Sequence, residues 1–174
     1  MPNWTHIIIH HSFTGDSTLA DSVAIKRFHT SYRHYGDIVT PEEYFKLKEQ
    51  GVAGLVEPWL DIGYHWIVER LSSGYPWVIA GRPMYLSGAH TVGMNSVGIG
   101  VCFVGNFDPE PPAEDLLDKG AEHVAWLCSI YNIPIDNVQP HRRYASYKSC
   151  PGEQFDMAKF QERVGKFLGD KYGR

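Results

Sequence analysis

Thr5-His6-Ile7-Ile8-Ile9-His10-His11 is a β-branched run that ends in a turn-rich cluster, residues 12–17. A run this short, bounded by turn residues, reads as a buried strand whose end opens into a loop. Residues 97–105, VGIGVCFVG, give a second apolar strand, thinned by glycines that let another group approach the backbone closely. Helical patterns lie between and after these strands. Over residues 21–35, Ile25, Phe28, Tyr32 and Tyr35 recur at steps of three and four with Gly36 at a C-cap position, which predicts one amphipathic helix. Thr40-Pro41-Glu42-Glu43 is a capping box with proline at the first helical position, opening a short helix that Gly51 closes. Residues 63–70 and 77–81 flank Ser72-Ser73-Gly74-Tyr75 and predict a hairpin. Leu116, Leu117, Val124, Leu127, Cys128 and Tyr131 form one helical stripe, and Met157, Phe160, Val164, Phe167 and Leu168 another. Strands and helices interleave, so the expected fold is α/β: a single domain over residues 1–174 with a central mixed β-sheet flanked by helices.

Composition bounds the function. The 174 residues are 43% hydrophobic and 21% charged, the make-up of a globular protein with one core and not of a disordered or coiled-coil chain. A formal charge of -4 lacks the basic face that phosphate neutralisation needs, so no nucleic-acid partner is expected. No run is long enough to cross a membrane, and the N-terminus lacks the charged and apolar regions of a signal peptide. Three widely spaced cysteines, Cys102, Cys128 and Cys150, fit a reducing compartment better than a disulfide framework, so synthesis in the cytoplasm is expected.

Nine histidines are many for this length. The segment from His141 to Gly152, HRRYASYKSCPG, places an imidazole, an ammonium and a thiol within ten residues of loop-like composition. A nitrogen and a sulfur donor so close suit zinc, and a catalytic zinc takes three protein ligands. His10 is the candidate third. Neighbours on a strand point to opposite faces, so only one of His10 and His11 can ligate while the strand persists. Spacing alone also admits a pair of half-buried histidines bonded to backbone, and a Cys150 that is a small buried hydrophobe. His65, between Tyr64 and Trp66, reads as packing; His29, His34 and His123 read as helical and facing water.

The segments IIIHHS, GYHWIVER, AGRPMYLSGAHTVGMNSVGIGVCFVGNFD and HRRYASYKSCPG, in this order, resemble the zinc-dependent N-acetylmuramoyl-L-alanine amidases, in the group of small phage amidases and peptidoglycan recognition proteins. The resemblance runs from about residue 6 to residue 152, and its most specific part is residues 88–107. It implies that His10, His141 and Cys150 hold Zn2+, and that Tyr64 and Lys148 are catalytic. It implies also that the chain hydrolyses the bond between N-acetylmuramic acid and L-alanine in peptidoglycan as a monomeric phage or prophage endolysin, reaching the wall after the membrane is opened. A non-catalytic peptidoglycan-binding domain is the alternative, against which Cys150 speaks. His90 and Asn95 lie in the block that resembles the family's substrate groove, with loop ordering as the other reading for His90. Arg82 stands between a groove role and a structural ion pair.

The chain departs from the cytosolic recycling amidases of the wider superfamily, which tend to carry aspartate at the position of Cys150 and a glutamate in the strand Val101-Cys102-Phe103-Val104. Residues 37–57 lengthen the usual link before the GYH strand, as a specificity wall or as decoration.

Overall fold

The computed structural model describes residues 2–14 and 22–173. In chain order the elements are β1 (His6–His11), α1 (Ser22–His29), β2 (Arg33–His34), β3 (Asp37–Ile38), α2 (Pro41–Glu49), β4 (Leu55–Val56), β5 (Trp66–Arg70), β6 (Pro76–Ala80), β7 (Gly98–Phe103), α3 (Glu114–Tyr131), β8 (Val138–Pro140) and α4 (Met157–Tyr172). Five strands form the main sheet in the order β6-β5-β7-β1-β8. The strands β5, β7, β1 and β8 run parallel, and β6 closes one edge antiparallel to β5. The mixed, helix-flanked sheet expected from the interleaved patterns is present.

The apolar run explains the place of β1. Ile7, Ile8 and Ile9 have no exposed surface, because parallel strands pair on both sides of them and both faces of the sheet are covered. On one face Ile7, Ile9, Val68, Val101 and Phe103 pack with Leu116, Val124, Leu127, Phe160 and Val164, the inward stripes of α3 and α4. On the other, Ile67 packs with Ile62 and Val104, and Ile25 of α1 leans on them. The side chains of Ile8 and His10 belong to this second face by the alternation of the strand. The buried Glu69 carboxylate accepts a hydrogen bond from the Ser22 backbone N–H at 2.7 Å, placing negative charge at the α1 N-terminus.

The first helix is shorter than its spacing predicts. Its C-terminal residue is His29, and Arg33 and His34 then enter a second, three-stranded antiparallel sheet of order β3-β2-β4. Tyr35 (φ 48°) and Gly36 (φ 96°) form the two-residue turn between β2 and β3, where both central residues need left-handed backbone. Tyr32 instead packs its ring on Tyr44 of α2, centroids 4.5 Å apart. Threes-and-fours spacing thus came from an aromatic cluster at a hairpin, not from another helical turn. Residue 21 lies outside the described residues. The capping box behaves as read: Thr40 Oγ1 accepts from Glu43 N at 3.2 Å. The lengthened link therefore supplies β3, α2 and β4.

Three histidines expected on water-facing helices are placed otherwise. His29 is buried, accepting from Gly63 N and stacked on Trp59. His123 packs its ring 4.3 Å from Trp66, and His34 is half-buried on β2. His65 is the packing residue the sequence predicted, taking Gly100 N–H on Nδ1 and facing the Leu86 carbonyl with Nε2. Burial pushes His29, His65 and His123 each down to about 4.

The sign of the resulting pH dependence follows. In the unfolded chain these imidazoles protonate near pH ~6.5, whereas the folded chain keeps them neutral to about 4, so acid favours unfolding. Stability to urea should be level between pH ~7 and ~8 and fall as pH drops through the window from ~6.5 to ~4. A stability that rises on acidification through that window would contradict their burial as neutral groups.

Candidate metal centre

His10 stands at the end of β1 with 1% of its surface exposed. His141 begins the turn that follows β8, the strand paired to β1, so parallel pairing brings it beside His10; their ring centroids are 4.5 Å apart. Cys150 is returned to the same point by a loop that Arg142 pins. Arg142 N donates to the Cys150 carbonyl, and its guanidinium donates to the carbonyls of Ser149 and Gly152. Asp108 fixes the far side of that loop by accepting from Ser149 Oγ and Glu153 N. The ligating atoms of His10, His141 and Cys150 lie within 4.8 Å of one another. This is the one group of three such residues that could hold a metal among the described residues.

The donor set and its spacing fit zinc. His10 Nδ1 and Cys150 Sγ are 3.7 Å apart. A tetrahedral site with ordinary Zn–N and Zn–S bonds would separate such a pair by about 3.5 Å. His11, on the opposite side of the strand, uses Nδ1 to accept from Phe107 N and sends its own backbone N–H toward Cys150 Sγ at 3.4 Å. Thus one of the two histidines faces the centre, and the other contributes a backbone donor to the sulfur.

Electrostatics prepares these groups. Burial, with His90 and His141 close by, holds His10 well below its ordinary range. Burial and the Lys148 charge lower His141 to about 4, so both rings offer a lone pair at neutral pH. Burial pushes the Cys150 thiol up to about 12, opposed by the His11 N–H and Lys148. Tyr64, its ring 5.0 Å from that of His10, is raised well above the usual phenol range by burial and by the neighbouring thiols of Cys102 and Cys150. It therefore remains an O–H donor throughout the neutral range.

A pocket of about 390 Å³ opens over the group, and Tyr64 and Lys148 line it. The remaining expected residues have internal uses. Arg82 is buried and donates to the carbonyls of Ile62, Ser87 and Asp61, tying two loops together. Asn95 Oδ1 accepts from the backbone N–H groups of His90 and Thr91 and so orders the start of that loop. His90 lies against His10 through a hydrogen bond of 3.0 Å. Sequence reasoning missed Phe13 and Tyr147, both exposed and lining the pocket, and the anchoring role of Asp108. Exposed aromatic residues beside the ligands were the available signal for the first two.

An α/β domain with a His-His-Cys group that could hold a metal, gathered at the end of the interior parallel strand β1, is thus defined. A family model described as N-acetylmuramoyl-L-alanine amidase matches residues 1–153, and the chain belongs to that family. The endolysin of Escherichia phage T7 is 44% identical over 131 residues, 71% of this chain and 75% of that protein. Matches to the endolysins of Klebsiella phage KP32 and Enterobacteria phage K11 span about a third of those proteins' length. Among solved structures, the amidase LysC from Clostridium intestinale URNW superposes with a TM-score of 0.65 at 21% identity, covering 94% of this chain and 86% of that one. Bumblebee PGRP-SA superposes at 0.63 and 21%, covering 97% and 84%.

Phe13 at the mouth of the pocket carries backbone strain, with φ 59° in the left-handed region. An L-residue there costs ~1–2 kcal/mol, offset for glycine by ~0.5–1 kcal/mol of extra chain entropy. Phe13→Gly should exceed Phe13→Ala in stability by about 0.5–1 kcal/mol on chemical denaturation. Equal stabilities would remove the strain from this position.

Proposed function

We propose that this chain is a zinc-dependent amidase that hydrolyses the bond between N-acetylmuramic acid and L-alanine of peptidoglycan, in the lytic role that the word endolysin gives its T7 relative. The convergence of His10, His141 and Cys150 in a pocket shared with Tyr64 and Lys148 carries this reading, together with family membership. We take residues 1–174 as one catalytic unit, because α4, beyond the matched span, completes the core. No helix among the described residues is long and apolar enough to cross a membrane, and the wall polymer is the partner proposed, for a monomer.

His10, His141 and Cys150 would hold the zinc, which when bound supplies Lewis acidity to polarise an amide carbonyl and to acidify water. The protein's own groups do the rest. Lys148, exposed on the rim, presents a cation to the negative charge that grows on the scissile carbonyl oxygen. A preorganised donor of this kind is worth ~2.7–4 kcal/mol of barrier. Tyr64 keeps its proton and donates it as a hydrogen bond from the wall of the pocket, orienting the reacting oxygens. His11 N–H, aimed at the sulfur, stabilises the thiolate that ligation requires.

Purified protein incubated with defined peptidoglycan should release stem peptides bearing a free L-alanine amino terminus, read by mass spectrometry. Binding to the wall without such products would favour the recognition-domain alternative. Chelation should abolish the release and added zinc restore it. Tyr64→Phe and Lys148→Ala should each lower kcat and kcat/KM together by roughly 10²–10³-fold with zinc content unchanged, the signature of groups acting in the transition state. A Lys148→Ala variant that only raised KM would move that residue to substrate binding.

Zinc uptake should also release a proton. The Cys150 thiol, near 12, is protonated without metal, whereas the imidazoles are already neutral. Between pH ~7 and ~9, calorimetry in buffers of different ionisation enthalpy should therefore report about one proton released per zinc, with affinity rising as pH rises. No proton release would remove Cys150 from the ligand set.

A further inference from the structure

The His90 ring is set into a backbone cradle. A Cβ built on Gly88 would fall 2.4 Å from His90 Cδ2, and one on Gly100 would fall 2.5 Å from the same atom. Any other residue at either glycine would displace the ring. Asn95 then fixes the start of the loop by accepting from His90 N and Thr91 N, each at 2.8 Å. The SGAH and GIG stretches therefore share one geometric task, which is to place this imidazole against His10.

The hydrogen bonds of the ring allow one neutral arrangement. His90 Nε2 lies 3.0 Å from the Gly98 carbonyl oxygen. A carbonyl only accepts, so Nε2 carries the proton. Nδ1 of the neutral ring is then an acceptor, and it faces His10 Nε2 at 3.0 Å and Thr91 Oγ1 at 2.9 Å. His10 Nε2 must consequently carry its own proton, since two bare nitrogens at that distance would repel. The last atom in the sequence is His10 Nδ1, left bare and facing Cys150 Sγ.

We infer that His90 is a positioning residue that sets the tautomer of His10: the Gly98 carbonyl fixes the His90 proton, His90 fixes the His10 proton, and His10 Nδ1 is thereby kept free to bind metal. The inference rests on the metal reading above and extends it to a residue outside the ligand set. Partners of this kind commonly tune metal affinity by ~10–100-fold. It also explains why both polar atoms of His90 are spent inside the protein, although the residue lies in the block whose resemblance suggested a substrate groove.

Wild-type protein, metal-free and labelled with ¹⁵N-histidine, tests this at pH ~7.5. Long-range ¹H–¹⁵N correlation should show both His10 and His90 as the Nε2–H tautomer. His90→Leu, which fills the cradle without an acceptor, should mix the His10 tautomers and weaken zinc binding by ~10–100-fold in competition with a chelating dye. His90→Asn, whose side-chain oxygen can take the place of Nδ1, should recover most of that loss. A wild-type His10 in the Nδ1–H form, or an affinity unchanged in His90→Leu, would overturn the inference. Wild-type protein that takes up no zinc would instead overturn the proposed function, and the tautomer measurement, which needs neither metal nor variant, would still decide the role of His90.

Discussion

The structure depends on the placement of a buried imidazole at the end of a fully covered parallel strand. His10 is registered against Cys102 of β7, and the three residues before it, Ile7 to Ile9, lie beside Val138 to Pro140 of β8. Parallel pairing on both sides anchors β1 in the sheet, as the placing of a metal ligand would require. It also strips His10 of water, so each of its nitrogens needs a partner inside the protein. One nitrogen meets His90 and Thr91, and the other faces Cys150.

The rest of the centre is arranged around that demand. β8 is only three residues long, yet its pairing with Ile7 to Ile9 delivers His141 directly beyond its end. The loop carrying Cys150 has little apolar content of its own, and it is held by Arg142 donating to backbone carbonyls and by Asp108 accepting from both sides. Charged groups bonded to backbone in this way are among the stronger hydrogen bonds, and they fix a loop that packing alone would leave adaptable. On the opposite wall Arg82 does the same for the loops that carry Tyr64 and His90. The two guanidiniums are thus the clamps of the pocket.

The thinness of β7 has a related origin. Gly98 and Gly100 alternate with Ile99 and Val101, so one face of the strand is apolar toward α3 and α4 while the other has no side chains at these positions. The empty face admits the His90 ring, and the carbonyl of Gly98 bonds it. The close approach that the glycines of this strand allow is therefore taken up by an imidazole.

Much of this was legible locally. The apolar runs of β1 and β7, the capping box of α2 and the stripes of α3 and α4 are short-range patterns, set by periodicity and backbone sterics, whereas the short strands β2, β3, β4 and β8 carry no such pattern. The spacing of His141 and Cys150 and the motif resemblance brought five residues to one candidate site. What the sequence could not supply was anything decided by contacts between distant segments. The aromatic spacing past His29 fitted a helix as well as a hairpin, and only the packing of Tyr32 on Tyr44 separated the two. His29 and His123 looked like surface residues until Trp59 and Trp66 covered them. The direction of the His10 ring, its hydrogen-bonded neighbour 80 residues away and the internal engagement of Arg82 exist only once the chain has folded, because a hydrogen bond depends on where two groups meet in space and not on their places along the chain.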